Sequence, residues 1–260
     1  MNKIVVITGG SSGIGKALKE QFALAGDTVV CCQRTNPDGD ENFVECDVCN
    51  EESVCRAAAE IIARHGRIDI LINNAGIGIS GASELIPVEH IRRAMDISYF
   101  GALYFTRAAL PHMKRGGRII FMSSVAGLFA LPFRSVYCSV KAAELMLGES
   151  LRMELSQTGI EVVTVCPGEI KTNFTANKLA DVKTNERYGD RVENALAHVN
   201  KREEKRMPMS KVAHKMYKIC DRGRKAMYII GGKYKALWFL KRILPTTAYL
   251  NFTDSTLGGK

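Results

Sequence analysis

Short runs of apolar, mostly β-branched residues alternate along this chain with longer stretches whose apolar residues recur every three or four positions. The runs at residues 3–8, 28–32, 43–46, 68–73, 117–123, 161–166 and 226–230 predict strands. The stretches at residues 13–25, 51–65, 88–113 and 136–157 predict helices. The second of these places Val54, Ala58, Ile61 and Ile62 on one face, and the third begins after Pro87. Runs such as Ile70-Leu71-Ile72 and Ile119-Ile120-Phe121-Met122 lack polar alternation, as expected of strands buried on both faces. Strands alternating with helices predict an α/β fold: a doubly wound, seven-stranded parallel sheet with helices on both faces. No repeat, low-complexity tract or linker divides residues 1–260, so one domain is expected. Two stretches break the rhythm. Residues 173–209 are polar and charge-rich, which suggests an insertion. Residues 233–260 form a tail that mixes lysines and Arg242 with Leu237, Trp238, Phe239, Leu240, Ile243 and Leu244.

Composition adds little to the fold but something to the partners. With 46% hydrophobic and 24% charged residues, the 260-residue chain has an ordinary globular mix. The net charge of +9 is unevenly placed: residues 201–260 hold 15 basic and 4 acidic side chains, and residues 1–200 hold 21 and 23. Such asymmetry suits an anionic partner or a solvated helical surface. No nucleic-acid motif or aromatic–basic interleaving accompanies it, so no nucleic-acid partner is expected. No apolar run reaches the ~20 residues of a membrane helix. The first residues read as a strand rather than a signal peptide, so a cytoplasmic location is expected. Without that signal, the eight cysteines are expected to pack as small hydrophobes, not as disulfides. Cys46-Asp47-Val48-Cys49 lacks a second pair or a nearby His, so no metal site is expected.

The first strand runs into Thr8-Gly9-Gly10-Ser11-Ser12-Gly13-Ile14-Gly15, which opens the first helix. Here Gly9 allows a sharp turn, Gly13 a close approach to a pyrophosphate, and Gly15 tight packing of helix on sheet. The amides of Ser11, Ser12 and Ile14 stand at the positive end of the helix dipole. Further motifs follow in order: Asp47-Val48; Asn73-Asn74-Ala75-Gly76; Ser123-Ser124; Tyr137-Cys138-Ser139-Val140-Lys141; and Pro167-Gly168-Glu169-Ile170-Lys171-Thr172. On these residues the chain resembles the short-chain dehydrogenases/reductases, over roughly residues 3–175 plus the seventh strand. The resemblance implies a Rossmann fold and hydride transfer between a nicotinamide and a carbonyl or secondary alcohol. It also implies that Asp47 and Val48 flank the adenine, that Asn73 lies near the adenosine ribose, and that Ile170 and Thr172 meet the nicotinamide. At the end of the second strand, where a carboxylate would hold a ribose 2′-hydroxyl, the chain has Gln33-Arg34. A planar guanidinium suits a 2′-phosphate, so NADP(H) is favoured, with NAD(H) as the alternative.

Tyr137 and Lys141, four residues apart, share a helix face. An ammonium beside a phenol favours the phenolate, so Tyr137 can exchange a proton with the substrate oxygen. Ser124, at a strand end, can hydrogen-bond the same oxygen. The family usually has an Asn, holding a water that serves the lysine, where this chain has Ser98. A Ser98 hydroxyl has less reach, so slower proton resupply or an adapted network is expected.

The expected substrate wall comprises residues 78–83, 125–134 and 173–209. Its middle part, Val125 to Phe133, is strongly apolar, which suits a bulky hydrophobic ketone or alcohol. The resemblance is nearest to the hydroxysteroid- and retinol-handling branch. A 3-oxoacyl thioester reductase and a catalytically weak, cofactor-binding regulator are the alternatives. The resemblance also implies a homodimer or homotetramer. Residues 233–252 are expected to form one amphipathic element at the substrate mouth. Its Leu237, Phe239, Leu240, Ile243 and Leu244 would face the pocket or make a weak peripheral membrane contact; a plain structural tail is the competing expectation.

Overall fold

The computed structural model describes residues 2–37, 39–171, 184–201 and 206–257. Seven strands, β1 (Ile4–Thr8), β2 (Thr28–Gln33), β3 (Phe43–Glu45), β4 (Ile70–Asn73), β5 (Arg118–Met122), β6 (Glu161–Pro167) and β7 (Met227–Ile230), form one sheet in the order β3-β2-β1-β4-β5-β6-β7. Every pairing is parallel. The order reverses direction between β1 and β4. In open parallel sheets that reversal opens a crevice at the carboxyl ends of the strands.

Alternate residues of each strand feed opposite faces. Val6, Val30, Leu71, Ile119 and Val162 pack under α2 (Glu51–His65), α4 (Gly101–Ala109) and α5 (Ser135–Glu154) through Val54, Ile61, Phe105 and Leu151. Val5, Ile7, Ile72, Ile120 and Val163 pack under α1 (Gly13–Leu24) and α7 (Met209–Arg222) through Leu18, Phe22, Met216 and Ile219. The expected parallel sheet, covered on both faces, is the one observed. Cys31, Cys32, Cys46, Cys166 and Cys220 are buried, and none of them is in a disulfide. Burial pushes Cys46, Cys166 and Cys220 up to about 12.

Three elements depart from the sequence reading. The single helix expected over residues 88–113 is α3 (Val88–Met95), a π-helical turn (Asp96–Phe100), α4 and a final 3₁₀ turn (Leu110–His112). The widened turn carries Ser98 into the interior, and Pro111 tightens the end. α7 was not anticipated, although Val212, Met216, Ile219 and Cys220 fall on one face at helical spacing. The tail is two helices, α8 (Gly232–Ile243) and α9 (Thr246–Leu257), because Pro245 breaks the helix between them. Between α5 and α7 lies α6 (Arg191–Lys201). No described helix is long and apolar enough to cross a membrane.

α5 lies unusually close to the sheet at Gly148, where a Cβ would sit 2.4 Å from Thr164 Oγ1 and 3.2 Å from Phe121. Gly148→Val is expected to lower unfolding stability by about 2 kcal/mol through overpacking, read as a lower midpoint in chemical denaturation.

Candidate active site

The carboxyl ends of β1 and β4 are tied by short polar contacts. Thr8 Oγ1 accepts from the amides of Asn74 and Ala75 at 3.0 Å, and Asn74 Nδ2 donates to the carbonyls of Thr8 and Gly9, also at 3.0 Å. These bonds hold the glycine loop open. Gly9 and Gly13 have φ of 68° and 55°, conformations that disfavour other residues. A Cβ on Gly15 would lie 2.3 Å from the Gly9 carbonyl oxygen, so α1 begins against the loop itself. The side chain of Ser12, at the start of α1, makes no cap bond.

From this loop a cavity of about 550 Å³ runs along the sheet edge. Gly9, Ser11, Ser12, Gly13, Ile14 and Asn74 line one end, Ser124, Tyr137 and Lys141 the middle, and Phe129, Leu131, Leu237, Tyr249 and Phe252 the other end. Ser124 lies two residues past β5; its Oγ accepts from the Ala126 amide at 3.1 Å and so keeps its own O–H available to donate. Tyr137 is buried, and the Arg134 guanidinium lies 4.7 Å from its ring centroid. Lys141 donates to the Met122 carbonyl at 3.1 Å and to both oxygens of Glu144, at 3.0 and 2.9 Å. Lys141 is held above its ordinary pKa: burial disfavours the ammonium, and Glu144 with Tyr137 outweighs that. α5 is fixed against β5 by Ser123, whose Oγ donates to the Lys141 carbonyl at 2.7 Å. A Cβ on Gly127 would lie 2.6 Å from that same carbonyl oxygen.

A family model described as short chain dehydrogenase matches residues 3–183. The chain belongs to the short-chain dehydrogenase/reductase family. It is 36% identical over 207 residues to a 3-ketodihydrosphingosine reductase of Bacteroides thetaiotaomicron, covering 77% of each chain. It is also 34% identical over 264 residues to dehydrogenase/reductase SDR family member 7B of Xenopus tropicalis, covering 94% of this chain and 82% of that one. The match to the rat protein of that name spans 63% of the rat protein's length. A short-chain dehydrogenase from Streptomyces avermitilis superimposes with a TM-score of 0.80 at 28% identity, over 98% of both chains. As a short-chain dehydrogenase, the protein is an oxidoreductase acting on a carbonyl or alcohol with a nicotinamide cofactor.

The dehydrogenase brings together Gly9, Ser11, Ser12, Gly13, Ile14, Ser124, Tyr137, Lys141 and Ile170 around one cavity. Other expected site residues lie elsewhere. The cavity does not reach Arg34, Asp47 or Val48. Arg34 is exposed just past β2, and Asp47 turns its carboxylate onto the Cys49 amide at 3.0 Å. Val48 packs against Gly101, where a Cβ would lie 2.9 Å from its own. Asn73 faces away from the cavity and donates to Thr106 Oγ1 at 3.0 Å; Asn74 occupies the loop instead. Ser98 lies behind the cavity wall, fully buried, with no hydrogen-bond partner for its Oγ. A Cβ on Gly76 would be 3.4 Å from that oxygen and 3.3 Å from Lys141 Nζ, so the lack of a side chain at Gly76 leaves the space between them open. Thr172 lies outside the described residues.

The substrate wall is also redistributed. Val125, Phe129, Leu131, Pro132 and Arg134 line it as expected, but residues 78–83 do not; Gly76 and Ile77 do. Of residues 173–209, much lies outside the described residues, and Ala195 and Arg206 reach the cavity. The tail closes the far end. Leu237 lines the cavity and Leu244 packs on the core beneath, whereas Phe239 and Ile243 are 65% and 63% exposed. α8 is pinned to the loop after β6. Tyr234 donates to Glu169 Oε2 at 2.8 Å and Lys233 to the same oxygen at 3.0 Å. Sequence reasoning missed Glu144, Glu169, Tyr234 and Tyr249. The spacing of Lys141 and Glu144, three residues apart on one helix face, was the one available signal.

Proposed function

We propose that the protein is an NADP(H)-dependent reductase of a bulky lipophilic ketone, running in reverse on the matching secondary alcohol. The observation that carries this reading is the continuous cavity, polar beside Ser124, Tyr137 and Lys141 and apolar beyond them through Phe129, Leu131, Leu237, Tyr249 and Phe252. The similarity to a 3-ketodihydrosphingosine reductase supports a long-chain ketone alongside the steroid-like class. The glycine loop fits a dinucleotide: Gly9 and Gly13 hold left-handed backbone, a Cβ on Gly10 or Gly15 would clash, and Gln33 Oε1 is buried beside it without a partner. Gly9 to Gly15 would hold the pyrophosphate and Ile170 would lie against the nicotinamide.

When bound, the reduced cofactor supplies a hydride to the carbonyl carbon. The chain's own groups handle the oxygen. The Ser124 O–H orients and polarises it, and Tyr137 gives up its proton to it. Lys141 and Arg134 then stabilise the phenolate left behind. Apolar side chains from the tail exclude water around the reacting carbon.

A panel of steroid ketones, long-chain 3-ketones, acyl thioesters and short ketones tests the assignment, with NADPH oxidation as the readout. Long-chain or steroid ketones are expected to have the highest kcat/KM, and Tyr137→Phe to lower kcat about 10²-fold or more with little change in NADPH binding. Equal efficiency on short ketones would overturn the substrate class, and an active Tyr137→Phe would overturn the proton donor.

Arg34 is proposed to meet the 2′-phosphate from its exposed position past β2. Arg34→Ala is expected to raise the KM for NADPH about tenfold or more and leave that for NADH nearly unchanged, in line with the loss of one charge-assisted bond. Equal effects on both cofactors would remove Arg34 from that role.

A weak contact of the tail with an anionic lipid surface is a second reading, favoured by one observation. Phe239, Leu240, Ile243, Leu250 and Phe252 are exposed on α8 and α9, beside Lys235 and Arg242. Such a face would bring the cavity mouth toward lipid, with salt-sensitive affinity. Flotation with anionic vesicles at low salt, lost at high salt and in Phe239→Ser/Ile243→Ser, is the expected outcome. No flotation at low salt leaves α8 and α9 as a structural wall.

A further inference from the structure

The Lys141–Glu144 pair is unlike a surface ion pair. Both side chains are only 4% exposed, and both carboxylate oxygens face the ammonium. An ammonium has three N–H donors. Three acceptors, Glu144 Oε1, Glu144 Oε2 and the Met122 carbonyl, stand within 3.1 Å of Nζ. Groups of the protein therefore satisfy Lys141 fully before any ligand enters. Glu144 thus bears on Lys141, which with Arg134 favours the phenolate of Tyr137.

We infer that Glu144 is a positioning residue that occupies the donors of Lys141 and offsets its charge, extending carbonyl reduction to higher pH than an unopposed ammonium would allow. The inference rests on Tyr137 as the proton donor. An unopposed ammonium favours the phenolate, which serves alcohol oxidation; a neutral ion pair leaves the phenol protonated, which serves reduction. Tyr137 and Glu144 are seven residues apart, about 10 Å along the helix axis. At an effective dielectric constant of about 20, a unit charge at that distance moves a pKa by about 1 unit.

The other charged groups around the pair are few. On the helix side, Arg134 lies over the Tyr137 ring and also favours the phenolate. From β6, Cys166 interacts with Glu144, Lys141 and Glu149, and its thiol, pushed up to about 12 chiefly by burial, stays neutral. Behind Gly76, Ser98 contributes a hydroxyl without charge. Burial pushes the Glu144 carboxyl up to about 7 against the pull of Lys141. Above neutrality, where a phenol titrates, Glu144 is therefore an anion. Removing its charge leaves the Lys141 ammonium unopposed.

Glu144→Gln keeps the shape and an acceptor for Lys141 and removes the charge. The first readout needs neither cofactor nor substrate: the ring resonance of Tyr137 in isotope-labelled protein, assigned by its loss in Tyr137→Phe, is followed against pH. Its midpoint is expected to fall by about 1 unit in Glu144→Gln. The second readout is the alkaline limb of kcat for ketone reduction, expected to move down by the same amount with KM little changed. Should Gln fail to fold, Glu144→Met supplies similar volume without charge and the same shift is expected. If the resonance shifts and wild type reduces no ketone, the proposed reaction fails and the role of Glu144 in charge compensation stands. A Tyr137 midpoint that is unmoved, or moves upward, in a folded variant overturns the inference.

Discussion

The site depends on how β1 and β4 part at their carboxyl ends. Two neighbouring parallel strands whose following segments go to opposite faces of the sheet leave backbone groups exposed in the gap, and buried backbone groups need partners. Thr8 and Asn74 supply them across that gap, at 3.0 Å in each case. With these bonds made, the glycine loop can turn without side chains, α1 can start against it, and the crevice stays open toward β5. Ser124 and α5 then form its other wall, held where Ser123 Oγ donates to the Lys141 carbonyl and Gly127 lies against it. The crevice is thus shaped by main chain that a few short polar side chains and glycines hold in place.

That main-chain origin explains what the sequence disclosed. The β-branched runs and the glycine spacing report backbone geometry directly, so all seven strands, α1, α2 and α5 were legible to within a few residues. Ser124, Tyr137 and Lys141 were legible because strand ends and helical spacing place them without knowledge of packing. What stayed hidden depends on tertiary choices. Asn73 and Asn74 are chemically identical neighbours, and only the packing of Thr106 against β4 decides which one meets the loop. The π-helical turn at Ser98 has no local signature. α7 had its stripe of Val212, Met216, Ile219 and Cys220, but the basic residues around it gave the segment the look of a charged surface. Pro245, a helix breaker, falls inside the single element expected over residues 233–252; the burial of Tyr249 beyond it has no sequence signal, since it requires α9 to fold back onto Phe129.

The polar centre and the apolar wall are stabilised in different ways. Around Lys141 nearly every donor and acceptor is matched, so small changes there leave a buried group unsatisfied, at a cost of about 1–3 kcal/mol. Around the wall, Phe129, Leu131, Leu237 and Tyr249 make dispersion contacts that tolerate exchange of similar volumes. Between the two, Tyr234 and Lys233 tie α8 to Glu169, linking the tail to the loop that follows β6.

The break at Pro245 gives the tail a modular character. The family match ends at residue 183, before α7, α8 and α9, and the last two helices reach the rest of the molecule mainly through side chains. Contacts outside the tail, at Ser123, Gly127 and Glu144, fix the spacing of Ser124, Tyr137 and Lys141, so no exchange of side chains in the tail resets it. A lineage carrying this architecture can therefore vary the shape of what it accepts by drift in its last few dozen residues while inheriting the proton chemistry unchanged.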